Sequence, residues 1–203
     1  MRVRDMFLKN KKFFFCFFSI ISFLFSYNAY SDTEEKIKII NYLESLQNFS
    51  ASFLQNSGES LSEGRVYVGK KRVRAEYLSP TKILIILDEN KAMYYNYELE
   101  EDEFFNPKNT NAWFFYDIFR NPLFFSDANI EFENNEIILE KNGFDVEDKK
   151  YSIKVFFENT PLVLRKVELW INQEIITLSI YNHNYNEQFS RNFFKLISPN
   201  LLN

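Results

Sequence analysis

The sequence predicts a mainly β fold: an antiparallel meander curled into an open or closed barrel, with two helices to cover its opening. Three observations predict it. Apolar and polar residues alternate with a period of two through ten short segments. Short polar links such as Asp88-Glu89-Asn90, Asn134-Asn135 and Asn172-Gln173 join segments as hairpins. Two stretches, one near the start and one between the two runs of strands, read instead as helices.

The first residues stand apart from that pattern. Arg2, Arg4, Lys9, Lys11 and Lys12 form a basic head, Phe13 to Phe25 an apolar core, and Ala29-Tyr30-Ser31 a small-x-small site before Asp32. This is the order of a secretory signal peptide, so cleavage is expected between Ser31 and Asp32. The apolar run is short against the about 20 residues of a spanning helix. Cys16 lies in mid-core after Phe13-Phe14-Phe15, with no small-residue box before it that would make it a lipidation site. Residues 32–203 are then read as one domain.

Residues 1–31 hold five basic side chains and one acidic. Of 24 basic and 28 acidic residues, 19 and 27 remain beyond them, a net charge of −8. Such a surface repels nucleic acid and anionic headgroups. The remaining chain has no cysteine, which excludes disulfides, thiolate metal sites and a thiol nucleophile.

Asp32 or Thr33 caps the first predicted helix, with Glu34 and Glu35 in its first turn where the helix dipole favours acids. Ile39, Ile40, Leu43 and Leu46 fall on one side of it. Predicted strands follow at 50–56, 65–70, 72–78, 82–88 and 91–97. A second run lies at 129–133, 136–141, 151–158, 164–171 and 174–181. In GRVYVGKKRVRAEYLSP (64–80), Val73, Ala75 and Tyr77 alternate with Arg72, Arg74 and Glu76, so one face of this hairpin is apolar and the other charged. The acidic run ELEEDE (98–103) reads as a solvated loop. In NTNAWFFYDIFRNP (109–122), Asn109, Thr110 or Asn111 caps and Pro122 ends a helix that is apolar nearly all round, which must be covered on most sides.

The apolar face recurs as Met93, Tyr95 and Tyr97, then Ile130 and Phe132, then Ile153, Val155 and Phe157, then Val167, Leu169 and Ile171. Twist curls a sheet of ten strands. Two readings of its inside fit: a solid core packed by the helices, or a hydrophobic cavity, because such a barrel is wider than its own side chains easily fill. The expected lining is Leu43, Val66, Val68, Val73, Tyr77, Ile85, Met93, Tyr95, Trp113, Phe114, Ile153, Val155 and Leu169.

Catalytic sets are missing. His183 is the only histidine and reads as a solvated turn residue between asparagines. It joins no nucleophile–base set and no cluster with metal spacing. The four glycines are too dispersed for a phosphate loop. No cofactor and no metal are expected, and no enzyme.

Leu46, Phe49, Ala51, Phe53 and Gln55 form one phrase. Gly64, Tyr67, Val68, Lys70, Val73, Arg74, Glu76, Tyr77 and Pro80 form a second. KILIILDENKAMYYNYELE, the strand pair Leu164 to Leu178, and Phe194-Lys195-Leu196 with Pro199 follow. In order and spacing this resembles the LolA family of periplasmic outer-membrane lipoprotein carriers. The resemblance implies an unclosed β-barrel (half-barrel) lidded by two or three helices, in a monomer of the Gram-negative periplasm. It implies lipoprotein acyl chains as cargo, received from an inner-membrane ABC exporter and passed to an outer-membrane acceptor where one exists. Where the family has an Arg-Pro-Gly turn whose Arg pins the lid to helix backbone, this chain has Gly69-Lys70-Lys71-Arg72. The resemblance therefore implies Lys70 or Arg72 as the gating residue. The alternatives are a related non-catalytic module, either a LolB-like acceptor or a lipoprotein-sensing regulator, and a periplasmic hydrolase, which lacks a catalytic set.

Overall fold

A computed structural model describes residues 33–58, 60–121 and 123–201. The expected leader, the Ser31/Asp32 cleavage site and the helix-ending Pro122 lie outside the described residues. The chain divides into two compact units, 1–38 and 39–203. The first is described only over 33–38, which are helical, with Lys38 paired to Glu35 at 3.2 Å.

Helical residues 33–45 (α1) bring Ile39 and Leu43, with Leu46 just beyond, to the core of the second unit, where all three are buried. Eleven strands follow. β1 (Phe49–Ser57), β2 (Ser60–Val68), β3 (Val73–Ser79), β4 (Ile83–Leu87), β5 (Ala92–Asn96) and β6 (Glu101–Phe105) form the first run. After α2 (Ala112–Arg120) come β7 (Asn129–Glu133), β8 (Glu136–Phe144), β9 (Lys150–Glu158), β10 (Val163–Ile171) and β11 (Glu174–Asn184). The fold is mainly β: one antiparallel sheet with two helices, not closed.

The strand order is β6-β5-β4-β3-β2-β1-β11-β10-β9-β8-β7. The sheet is therefore not one meander but two, joined where β1 pairs with β11, with Phe53 opposite Ile180 and Gln55 opposite Leu178. The chain starts in the middle of the sheet, runs out to one edge, crosses through α2 and returns from the other edge. The acidic run is not a loop throughout: Glu101 to Glu103 belong to edge strand β6 and are exposed. Carboxylates on an unpaired edge oppose further strand addition, so the residues that hid this strand also keep the edge free.

Register assigns the faces. On the inner face Val73 pairs with Leu87 and Ala75 with Ile85, and across β9 Val155 lies between Leu139 and Val167. Phe114, Ile118 and Phe119 of α2 are buried and join this core. The outer face carries its own small cluster: Leu84, Ile86, Met93 and Tyr95, against which Leu196 packs. The C-terminal segment crosses there. Arg74 donates to the Phe193 carbonyl at 2.6 Å, Arg72 to that of Phe194 at 2.8 Å, and Tyr95 to Asn200 Oδ1 at 2.8 Å.

Candidate functional site

The alternation in β1 to β4 turns Phe53, Val66, Val73, Ala75, Ile85 and Leu87 to one side, and α2 lies over them. Asn111 is the N-cap of this helix but makes no side-chain capping bond; the hydroxyl of Thr110 before it accepts from Ala112 N at 3.3 Å. The first turn of α2 thus starts over the sheet. Between them a cavity of about 190 Å³ remains, walled also by Phe115 and Phe119 of α2 and by Ile176 and Leu178 of β11.

Its polar groups are few. Tyr77 donates to Gln55 Oε1 at 2.8 Å, and burial pushes the Tyr77 phenol up to about 12. The phenol is neutral at physiological pH, so the chamber holds no charge of its own. Gly64 makes room for the Phe53 ring. A Cβ there would meet Phe53 Cζ at 2.6 Å and the Glu76 carbonyl at 2.2 Å. Phe53 in turn packs edge-on against Tyr77 at 5.1 Å.

Beside this chamber, a groove of about 630 Å³ runs between the end of α1, the end of α2 and the β2–β3 and β4–β5 turns. Its base is apolar (Leu43, Ile118, Phe125) and its rim charged (Glu44, Lys70, Lys71, Glu89). Arg120 ties these parts together. Its Nη1 donates to the Gly69 carbonyl at 3.0 Å and its Nη2 to the Leu46 carbonyl at 2.7 Å. Tyr116, one turn earlier, donates to the Lys71 carbonyl at 3.4 Å. Burial pulls the Arg120 pKa below its ordinary value, and its buried Nε makes no hydrogen bond.

Of the residues expected to line a cavity, the structure brings Val66, Val73, Tyr77 and Ile85 to this chamber. Leu43 lines the neighbouring groove. Val68, Phe114, Ile153, Val155 and Leu169 are buried in solid core. Trp113 is half-buried, stacked on Phe114 and edge-on to Tyr151. Met93 and Tyr95 are misplaced by the sequence reading: they lie on the outer face, opposite Ile86 and Leu84. Both faces of β4 and β5 are apolar, so alternation there does not tell inside from outside.

The gating residues are likewise corrected. Lys70 is exposed on the groove rim and makes no side-chain hydrogen bond or ion pair among the described residues. Arg72 points to the outer face, where it binds Asp88 at 2.6 Å and the tail. The cation that pins α2 is Arg120, which comes from the helix and reaches the turn. A basic residue in a last helical turn reads in sequence as a partner of the helix dipole, so nothing local marks its distant carbonyls. Phe53, Phe115, Phe119, Ile176 and Leu178 were also missed; the alternation of β1 and β11 does mark three of them. His183 is not a turn residue: it sits in β11, its Nε2 2.7 Å from the Leu164 carbonyl and its ring against Phe49 and Tyr185.

Among the described residues, no three His, Cys, Asp or Glu side chains come together to hold a metal ion. The space beneath α2 can shelter an apolar group.

No protein-family model and no curated protein matches the sequence. Solved structures match in fold. The chain is similar to the crystal structure of MucB, with a TM-score of 0.52 at 9% identity, covering 81% of this chain and 62% of that one. MucB in complex with MucA(peri) gives 0.46 at 9% identity, covering 81% and 59%. The Pseudomonas aeruginosa MucA/MucB complex gives 0.47 at 8%, covering 81% and 60%. The chain thus spans about three fifths of the length of the structures it matches. At such identity the likeness to MucB is one of fold: an open antiparallel sheet.

Proposed function

We propose that this chain is a non-catalytic periplasmic carrier that binds the acyl chains of lipoproteins beneath α2 and moves them from an inner-membrane ABC exporter to the outer membrane. The observation that carries this reading is the apolar chamber between sheet and helix, with a single neutral Tyr77–Gln55 pair as its hydrogen-bonded polar feature. Each methylene kept from water is worth about 0.8 kcal/mol, so acyl chains do not cross an aqueous compartment unshielded. A carrier needs walls, not a nucleophile.

At about 190 Å³ the chamber is smaller than the roughly 300–1,000 Å³ of sites for drug-sized ligands. Three long acyl chains require α2 to move. Arg120 and Tyr116 hold it by hydrogen bonds to carbonyls of the 69–71 turn and of Leu46. A few such bonds are a barrier that cargo binding can offset, since a ligand shifts such an equilibrium by its preference for the open state.

The test is an environment-sensitive fluorescent fatty acid titrated into the purified protein. Blue-shifted, saturable emission is expected; unchanged emission overturns the reading. Mass spectrometry of protein recovered from its own periplasm is expected to find co-purified lipoprotein. N-terminal sequencing of that material is expected to begin at Asp32, and a membrane-bound form retaining Met1 counts against export as a free carrier.

The fold shared with MucB favours a second reading, a module that binds a protein partner, as MucB is also solved with MucA(peri). Recovery of a stoichiometric, unlipidated protein in the same purification would select it.

A further inference from the structure

The apolar chamber and the charged groove are separate spaces with one lining residue in common. Among their described lining residues only Phe119 borders both. Phe119 is 3% exposed, and its backbone adjoins Arg120, which is tied to Gly69 and Leu46. Phe119 is therefore held in place by the same bonds that hold the end of α2.

The two spaces differ in chemistry. The chamber is apolar apart from Tyr77, Gln55 and Asn111. The groove has an apolar base, but its lining includes Glu44, Asp88 and Glu89 against Lys70, Lys71 and Arg120. With three acids balancing three bases, it favours neither sign of charge and offers many hydrogen-bonding groups. Size adds a limit. A cavity of about 150 Å³ takes one benzene, so about 190 Å³ shelters a short alkyl chain. Within the protein, a longer chain reaches the groove only past Phe119.

We infer that chamber and groove are two compartments of one site for a single-chain amphiphile with an uncharged or zwitterionic head, and that Phe119 is the partition that sets the chain length admitted while α2 is closed. The inference rests on reading the chamber as an apolar-chain site. The chain end occupies the chamber, and the head and any excess chain are left to the groove or to water.

The experiment is displacement of a fluorescent alkyl probe by monoacylglycerols from octanoyl to octadecanoyl, on the wild-type protein and on Phe119→Ala. A buried methylene strengthens binding about fourfold. The wild type is expected to gain by that factor only over the shortest members and then level off. Phe119→Ala joins the compartments, so its gain continues into the long chains, and the ratio of octadecanoyl to octanoyl affinity rises at least tenfold. Because removing a buried ring can unfold a protein, Phe119→Leu is run beside it, expected to shift the plateau in the same direction by less. Phe119→Trp is expected to shift it to shorter chains. A wild-type affinity that climbs steadily through the series, or a plateau unmoved in every folded variant, overturns the partition while leaving the apolar site standing. A wild type that displaces no probe with any chain removes the site itself and the partition with it.

Discussion

The Arg120 guanidinium donates to the Gly69 carbonyl at 3.0 Å, so the end of α2 is fastened to the β2–β3 turn through backbone oxygen. The second donor goes to Leu46 at the end of α1. One planar fork thus joins both helices and the hairpin, which a point charge cannot do.

Replacing Arg120 by Ala is expected to loosen α2 without dissolving the sheet. Hydrogen bonds to a charged donor are worth about 1.5–3 kcal/mol each, but burying the cation and leaving Nε unpaired offsets part of that. A net loss of about 1–3 kcal/mol is expected, with amide exchange accelerated in residues 112–120 and faster uptake of a fluorescent fatty acid. Arg120→Lys should restore little of it. Unchanged exchange in α2 would rule out the fastening role.

Lys70 and Arg72 are expected to separate cleanly. Lys70 is exposed and forms no side-chain bond among the described residues, so Lys70→Leu should stay within about 0.5 kcal/mol of wild type. Arg72→Leu removes the bonds to Asp88 and to the Phe194 carbonyl. Its signature is faster exchange and proteolysis in residues 189–201, with α2 unaffected. A variant of either residue that mobilised α2 would reinstate the turn as the gate.

Gly64→Ala tests the packing behind the chamber. The added Cβ would lie 2.2 Å from the Glu76 carbonyl and 2.6 Å from the Phe53 ring. Overpacking costs typically about 1–3 kcal/mol, and contact with backbone puts this site at or above the upper end. Phe53→Leu in the same chain should recover part of the loss, since it relieves the ring and not the carbonyl. Urea midpoints of the two single variants and the double variant decide it; equal midpoints for wild type and Gly64→Ala would refute the contact.

His183 is expected to make stability fall in mild acid. Burial lowers its pKa below the usual value, partly opposed by the bond to the Leu164 carbonyl. The folded state therefore binds the proton less readily than the unfolded chain, whose histidine titrates near about 6.5. No penalty exists above that pH; it grows as pH falls toward the folded value and is complete below it. The gap in melting temperature between wild type and His183→Gln should narrow or reverse from pH about 8 to about 5. A gap independent of pH would mean that the ring titrates as if exposed.

Much of this architecture was legible in the residues. Ten of the eleven strands announce themselves by alternation or by short apolar runs between polar turns, and the apolar 112–119 stretch by its lack of a polar face. Val66, Val73 and Tyr77 could be placed together because their hairpin has charged partners, Arg65, Arg74 and Glu76, on the opposite face. Strand β6 was hidden because acids suit an exposed edge as well as they suit a loop.

What the sequence by itself determined is local: the period of each strand, the turns and the apolar character of α2, all of which depend on neighbours a few residues away. Only the tertiary structure decided which face of β4 and β5 turns inward, since both are apolar and the tail covers one of them. It also decided that β1 pairs with β11, and that Arg120 meets carbonyls 51 and 74 residues away in sequence. A backbone carbonyl is the same acceptor at every position. Only the folded path of the chain selects the ones that a guanidinium reaches.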